Sequence, residues 1–230
     1  MHTLLLTTGS AWASRLLLAA AQIYTIPILV QILHTEEYAA HVLLAALAPW
    51  FLLADLGLGS ALQNYVAKFC TSCEGHAAIN RWLDRAVAIC AGVVVLVLAT
   101  SPFVSPLLFD SFDELPATVR PRLLSLAALL YICGTLGNVA YRAWYAMGTG
   151  WRANVATGLA GLITLAAIHS LQGVTPENRL YAAICITVGP QAVMGVIAFL
   201  LCRLRAVPAS SSNEDIHSTN AEVQGLKLWR

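Results

Sequence analysis

Charged side chains are scarce in this sequence, and their scarcity excludes an ordinary soluble globular protein. Of the 230 residues, 11% are Asp, Glu, Lys or Arg, whereas 58% are hydrophobic. This composition is typical of an integral membrane protein, so membrane lipids are the expected surroundings. The formal net charge is only +1, and no nucleic-acid partner is expected because such partners select basic surfaces.

Signatures of enzymes and of metal sites are also lacking. The sequence has no HExxH, no GxSxG and no glycine-rich loop that would cradle a phosphate, so we expect neither an enzyme nor a cofactor. Cys70 and Cys73 lie near His76, but a zinc site needs a fourth ligand, and we predict no metal there. None of the six cysteines falls in a predicted external loop, so structural disulfides are not expected.

Long apolar segments fill most of the chain up to about residue 205. Each is long enough to cross a bilayer core of ~30 Å as a helix. Six spans are predicted, at about residues 10–33, 37–62, 82–108, 122–147, 151–171 and 179–201. Residues 206–230 are polar and of low complexity, which predicts a disordered cytoplasmic tail. The predicted fold class is therefore an all-α polytopic membrane protein, with a six-helix transmembrane lobe over residues 1–205.

Basic residues are distributed unequally between the two sides of the predicted membrane segment. The side that carries both termini holds Lys68, Arg81, Arg85, Arg152, Arg203, Arg205, Lys227 and Arg230. The loops on the opposite side hold Arg120, Arg122 and Arg179, diluted by six acidic residues. Lys and Arg are enriched in cytoplasmic loops, so both termini are predicted to be cytoplasmic.

Two stretches of the sequence resemble a known family. They are LVQILHTEEYAAHVLL (residues 29–44) and LADLGLGSALQNYVAK (residues 53–68). Both are similar to the first two helices of O-antigen and polysaccharide flippases, in the polysaccharide transporter branch of the multidrug/oligosaccharidyl-lipid/polysaccharide exporter superfamily. In that family a Leu-Gly-x-Glu-x-Tyr-Gly-like turn precedes a helix that ends in Asp-Leu-Gly-Leu-x-x-Ala. The turn departs from the pattern here, because His34 and Ala39 stand where the family favours glycine.

The resemblance implies the amino-terminal, six-helix half of a two-lobed exporter in a bacterial inner membrane. Members of the family move a polyprenyl-diphosphate-linked oligosaccharide, such as an O-antigen unit, to the outer leaflet by alternating access. Because the chain has half the usual length, a second six-helix lobe or a second copy in a homodimer would have to complete the cavity. A non-transporting membrane subunit and an inactive truncated fragment are the alternatives.

Three charges interrupt the predicted spans: Arg15, Asp55 and Arg142. At a rise of about 1.5 Å per residue, all three fall in the inner third of the membrane. Charges at such depths are costly, and two interpretations stay open. Either the arginines snorkel to the interface, or they face a water-filled cavity where Asp55 pairs with one of them. In the second case the two guanidinium groups would bind the diphosphate of the lipid.

A polar stripe along the fourth predicted span favours the cavity. Its five members recur at i, i+4, i+7, i+11 and i+14 and therefore share one helix face. In the first span, Gln22 shares a face with Arg15. The predicted substrate-binding residues are Arg15, Gln22, Asp55, Tyr131, Thr135, Asn138, Arg142 and Tyr145.

Overall fold

The computed structural model describes residues 2–52, 57–69 and 73–205, and within these ranges it contains helices and no β-strand. The predicted disordered tail at 206–230, Asp55 and Cys70 lie outside them. The helices are α1 (His2–Ile32), α2 (Thr35–Ala46), α3 (Ala48–Leu52), α4 (Leu58–Phe69), α5 (Cys73–Leu108), α6 (Arg120–Ala146), α7 (Trp151–Ala167) and α8 (Arg179–Arg205). Two short 3-10 segments, Ile168–Gly173 and Pro176–Asn178, join α7 to α8. The predicted all-α class is confirmed.

Among the described residues, five helical segments are long and apolar enough to cross a membrane. They correspond to α1, α5, α6, α7 with its 3-10 extension, and α8. The prediction of six uninterrupted spans is therefore wrong by one. The difference lies in the predicted second span, residues 37–62, which the structure divides into α2, α3 and α4.

Local backbone chemistry explains why the second span is divided. Pro49 lies in the first turn of α3, where its absent N–H and its ring favour a new helix start over continuation of α2. Beyond α3, Gly57 has φ +78°, a left-handed conformation that glycine adopts without steric cost. Both residues lie within the predicted span 37–62, but a prediction from the length of the apolar segment did not take account of their tendency to interrupt a helix.

The divided segment still connects the two ends of the helical bundle. Leu44 of α2 belongs to a buried cluster with Phe109 and Leu180. Leu62 of α4 belongs to a different buried cluster, with Trp144. Since α6 ends and α8 begins at opposite ends of the bundle, α2 and α4 lie at opposite ends as well.

The loop predicted between the second and third spans is shorter than expected. Residues 71–80 read as a polar loop, but α5 already begins at Cys73 and runs for 36 residues. Polar residues need not end a helix where it leaves the membrane, because the backbone hydrogen bonds continue in water. Pro102 and Pro106 lie within α5, as Pro27 lies within α1.

A hydrogen-bonded loop closes the end of the bundle opposite to Trp144. The guanidinium group of Arg120 donates to the carbonyl oxygens of Phe112 (2.7 Å) and Leu115 (2.9 Å). The Glu36 carboxylate, at the start of α2, accepts a 2.8 Å hydrogen bond from the backbone N–H of Glu114. These contacts fix the position of α2 relative to the α5–α6 connection.

Helices α6 and α8 approach each other closely at a pair of glycines. Gly137 of α6 faces Gly195 of α8, and a Cβ added to Gly137 would overlap the Gly195 backbone. Small residues permit such approach, which is how helices pack in lipid where burial of apolar surface provides little driving force. Helices α1 and α7 approach similarly, with Gly158 and Gly161 beside Leu17 and Leu18.

Candidate functional site

A cavity of about 690 Å³ opens among helices α1, α2, α6, α7 and α8. Its volume lies within the range of about 300–1,000 Å³ that is usual for small-molecule sites. Apolar side chains form much of the wall, and hydrogen-bonding side chains are set into it. The polar residues that line it are Gln22, Thr25, Tyr38, His41, Tyr131, Asn138, Tyr141, Thr164, Thr187 and Gln191.

Helical periodicity brings these side chains to one volume. On α6, Tyr131, Gly134, Asn138 and Tyr141 succeed one another at three or four residues and so face the same way. On a neighbouring part of the α6 surface, Gly137 is pressed against α8. The face of α6 that carries the hydrogen-bonding groups is therefore left to the cavity.

His41 is the cavity's link between α2 and α8. Its Nε2 lies 3.1 Å from Thr187 Oγ1, and Thr187 Oγ1 donates its own proton to the Ala183 carbonyl oxygen at 2.8 Å. A hydroxyl has one proton to donate, so Thr187 accepts from His41 and His41 carries hydrogen on Nε2. Nδ1 of His41 is then the unprotonated nitrogen of the neutral ring.

Several other lining groups have hydrogen-bonding capacity that the described part of the chain does not use. The amides of Gln22, Asn138 and Gln191 have no hydrogen-bond partner among the described residues. Thr25, only 6% exposed, also has a hydroxyl without a partner there. Buried polar groups are normally paired, so such a group at a cavity wall indicates a ligand or water.

Three of the predicted site residues line this cavity: Gln22, Tyr131 and Asn138. Thr135 lies in the same stripe but is 1% exposed and points elsewhere. Its hydroxyl lies 3.2 Å from the Phe51 carbonyl oxygen in α3 and 3.0 Å from the Tyr131 carbonyl oxygen. The Phe51 ring also stacks on Tyr131, with centroids 5.8 Å apart. Thr135 therefore holds the short helix α3 against α6.

The remaining stripe residues of α6 contact other helices at the end that carries Trp144. Arg142 is exposed and donates to Gln63 Oε1 of α4 at 3.3 Å. Tyr145 donates a hydrogen bond to Asn154 of α7. The Asn154 amide in turn donates to Ser10 Oγ of α1 at 3.0 Å. Arg142 and Tyr145 are thus outside the cavity wall.

Arg15 is likewise not part of the cavity wall. It is exposed on α1, one residue beyond Ser14, which packs against Gly158 of α7. Asp55, the predicted partner of one arginine, lies outside the described residues. Among the described residues, no Asp, Glu, Lys or Arg lines the cavity. The structure therefore separates the predicted cations from the predicted neutral hydrogen-bonding groups.

The cavity also contains residues that the sequence did not single out. His41 carried a signal, since an ionisable residue inside a predicted span is a candidate functional group. Thr187 and Gln191 are four residues apart on α8, the same spacing that identified the stripe on α6. Nothing comparable in the sequence indicated Tyr38 or Thr25. Tyr38 lies in the turn that resembles the flippase family, and Thr25 belongs to no polar stripe.

Proteins of related sequence support the expected family resemblance. The chain is 32% identical over 202 residues to a candidate O-antigen export protein of Yersinia pseudotuberculosis, covering 86% of this chain and 46% of that protein. It is 29% identical over 200 residues to a candidate O-antigen transporter of Salmonella typhi, covering 84% and 45%. A candidate O-antigen transporter of Salmonella typhimurium is 27% identical over 179 residues. The predicted resemblance is confirmed, and the chain spans about half the length of these relatives.

No family model matches the chain, and no solved structure matches it.

Proposed function

We propose that this chain is the amino-terminal half of a membrane transporter for a lipid-linked oligosaccharide, acting by alternating access. The observation that carries the proposal is the cavity among α1, α2, α6, α7 and α8, whose wall carries hydrogen-bonding groups that have no partner in the described part of the chain. A helix bundle that only occupied the membrane would not need such groups, because unpaired polar groups in a membrane are costly. The relatives named as O-antigen transporters supply the substrate class.

The proposed location is the bacterial inner membrane, with both termini cytoplasmic. The excess of Lys and Arg on one side supports this orientation. Arg203 of α8 and Asp84 of α5 form an ion pair at 2.9 Å, which is compatible with an aqueous surface at that end. The proposed role is transport without enzymatic chemistry, in line with the names of the relatives.

Arg142 and Arg15 are proposed as cations that attract the diphosphate at the cavity's cytoplasmic end. Arg142 is exposed and donates to the neutral amide of Gln63, a contact that does not compensate its charge. A guanidinium group binds phosphate oxygens through two parallel hydrogen bonds. Arg142→Lys would keep the charge and lose this geometry, whereas Arg142→Ala would lose both.

We propose that a second six-helix lobe or a second copy of the chain encloses the cavity. The chain spans 46% of the Yersinia relative. The alternative is a non-transporting membrane subunit or an inactive truncated fragment of a flippase. The two possibilities differ in whether the chain, with its partner, moves substrate.

Rescue of surface polysaccharide in a bacterial strain that lacks its O-antigen flippase tests the proposal. The chain would be expressed alone and together with the portion of a full-length relative that it does not cover. We expect rescue in at least one arrangement, reduced by Gln22→Ala, in the cavity, but not by Gln31→Ala on the same helix. Arg142→Ala should reduce rescue more than Arg142→Lys at equal membrane levels.

A membrane-impermeant thiol reagent tests the proposed orientation. It should label a single cysteine at position 113 and not one at position 76.

If no arrangement rescues any such strain, the transporter proposal is wrong and the fragment alternative holds. Equal rescue by Arg142→Ala and the unmodified chain would show that this arginine is only an interfacial anchor. Labelling at position 76 from outside would reverse the proposed orientation.

A further inference from the structure

The described wall of the cavity does not match the negative charge of the proposed substrate. A polyprenyl-diphosphate-linked oligosaccharide has three chemically distinct parts: an apolar chain, an anionic diphosphate and a hydroxyl-rich glycan. No Asp, Glu, Lys or Arg lines the cavity among the described residues. Transfer of a diphosphate into a site without a cation would carry a large desolvation cost. The diphosphate is therefore a poor occupant of this cavity.

An apolar chain is also a poor occupant. It would form no hydrogen bond with the amides of Gln22, Asn138 and Gln191, which line the cavity and have no partner among the described residues. The Thr25 hydroxyl, which has no partner among the described residues, would stay unpaired as well. A buried polar group without a partner is unfavourable, which applies to Thr25, and an occupant without hydrogen-bonding atoms would also make no use of the three amides at the cavity wall.

The lining groups suit a neutral polyol. Side-chain amides donate and accept simultaneously, as a sugar hydroxyl does. Tyrosine rings, supplied by Tyr38, Tyr131 and Tyr141, combine an apolar face with a polar hydroxyl, which matches a sugar's apolar C–H face and polar rim. These groups come from α1, α2, α6 and α8, so they surround the occupant rather than line one side of it.

Arg142 lies a short distance along α6 from the cavity. Asn138 lines the cavity, and Arg142 lies one helical turn further along α6, about 6 Å along the axis. Arg142 is exposed outside the cavity wall. In a glycosyl diphosphate the first sugar is bonded directly to the phosphate, so a short separation of this kind is what the substrate requires.

From these observations we infer that the cavity is a binding site for the uncharged saccharide part of the substrate, with the diphosphate held outside it. Gln22, Asn138 and Gln191 bind sugar hydroxyls, and a wall whose described residues include no Lys or Arg disfavours entry of the anionic group. This assignment rests on the proposed transport function for the identity of the lipid-linked ligand, but the chemistry of the cavity itself selects a neutral polyol. A site built to hydrogen-bond hydroxyls should also discriminate against deoxygenated analogues.

Binding of simple sugars by the purified full chain in lipid nanodiscs tests the inference. Saturation-transfer difference NMR would use methyl β-glucoside, methyl β-galactoside and N-acetylglucosamine as probes, with inorganic pyrophosphate observed separately by its phosphorus linewidth. We expect saturation transfer to at least one sugar. Gln22→Leu and Asn138→Leu should each weaken that binding about fivefold, the usual result of losing one neutral hydrogen bond.

Matched variants separate the cavity from the rest of the protein. Gln31→Leu changes an exposed amide on the same helix that is not part of the cavity wall, so sugar binding should be unchanged. Arg142→Ala should leave sugar binding intact and reduce the broadening of pyrophosphate. Thermal unfolding of each variant checks folding, and Gln191→Leu is the substitute for any variant that does not fold.

Three results would overturn the inference: no saturation transfer to any of the sugars, equal loss of binding in Gln31→Leu, or displacement of the bound sugar by pyrophosphate. These results are distinguishable from failure of the transport proposal. Rescue of a flippase-deficient strain without sugar binding would refute only the saccharide site. Sugar binding that depends on Gln22 and Asn138, without rescue in any strain, would refute only transport by this chain.

Discussion

The membrane-spanning parts of α5 and α6 have similar lengths, 30 and 27 residues, but opposite surroundings. In an apolar 18-residue stretch of α5 only 11% of the residues are buried, whereas in the corresponding stretch of α6 the share is 50%. The middle of α5 is a nearly uninterrupted apolar run, while α6 contains glycines, alanines and a polar stripe. In water the more apolar helix would occupy the core, but in lipid an apolar surface gains little from burial. Small and polar residues therefore determine which helix lies at the centre.

Enlarging one glycine on each helix should produce the largest difference between α5 and α6. Gly137→Leu places a side chain where α6 touches the α8 backbone at Gly195, whereas Gly92 of α5 has no heavy atom within 4 Å of an added Cβ. We expect Gly137→Leu to lower the free energy of unfolding by about 3 kcal/mol, as overpacking does. Gly92→Leu should change it by less than about 0.5 kcal/mol.

Unfolding of the purified variants by denaturing detergent, followed by circular dichroism, provides the measurement. Comparable losses for Gly137→Leu and Gly92→Leu would mean that the α6–α8 contact is no tighter than the lipid-facing surface of α5. That result would contradict the central position of α6.

A threonine on each helix gives a second, smaller contrast. Thr135 Oγ1 lies 3.2 Å from the carbonyl oxygen of Phe51, in another helix, while Thr100 of α5 bonds at 2.8 Å to Leu96 in its own helix. Thr135→Val should lower the free energy of unfolding by about 1 kcal/mol, because it leaves the Phe51 carbonyl short of a partner. Thr100→Val should be close to neutral.

Backbone hydrogen exchange at residues 48–52 provides a local readout for this contrast. It should accelerate in Thr135→Val and stay unchanged in Thr100→Val. Unchanged exchange in both variants would show that the stacked Phe51–Tyr131 rings hold α3 without the hydroxyl.

The ion pair that joins α5 to α8 should have the smallest effect. Arg203 Nη2 and Asp84 Oδ1 are 2.9 Å apart, with side chains 51% and 57% exposed. Exposed pairs contribute about 0–1 kcal/mol and are weakened by salt. Asp84→Asn should therefore lower the free energy of unfolding slightly at low salt and not at high salt. A large decrease in the free energy of unfolding that does not change with salt would mean that this ion pair contributes substantially to holding α5 against α8.

Much of the architecture was predictable because it depends on local properties of the chain. Apolar length and scarcity of charge indicated a polytopic helical membrane protein, and the family resemblance agrees with the named relatives. Helical periodicity placed Tyr131 and Asn138 on one face of α6, and both line the cavity together with Gln22 of α1. These inferences needed only the backbone geometry of a helix and the chemistry of a lipid environment.

Only the tertiary structure determines which neighbouring helix each helix face contacts. The stripe on α6 is continuous in sequence, yet Thr135 binds α3, Arg142 binds α4 and Tyr145 binds α7. His41 meets Thr187 across 146 residues of chain, a pairing that no local pattern contains. Periodicity specifies the direction of a side chain from its own helix axis, but a cavity forms where several helices leave space. The position of Arg15 and Arg142 outside the described wall of that space follows from the packing of those helices and not from the spacing of residues along any one of them.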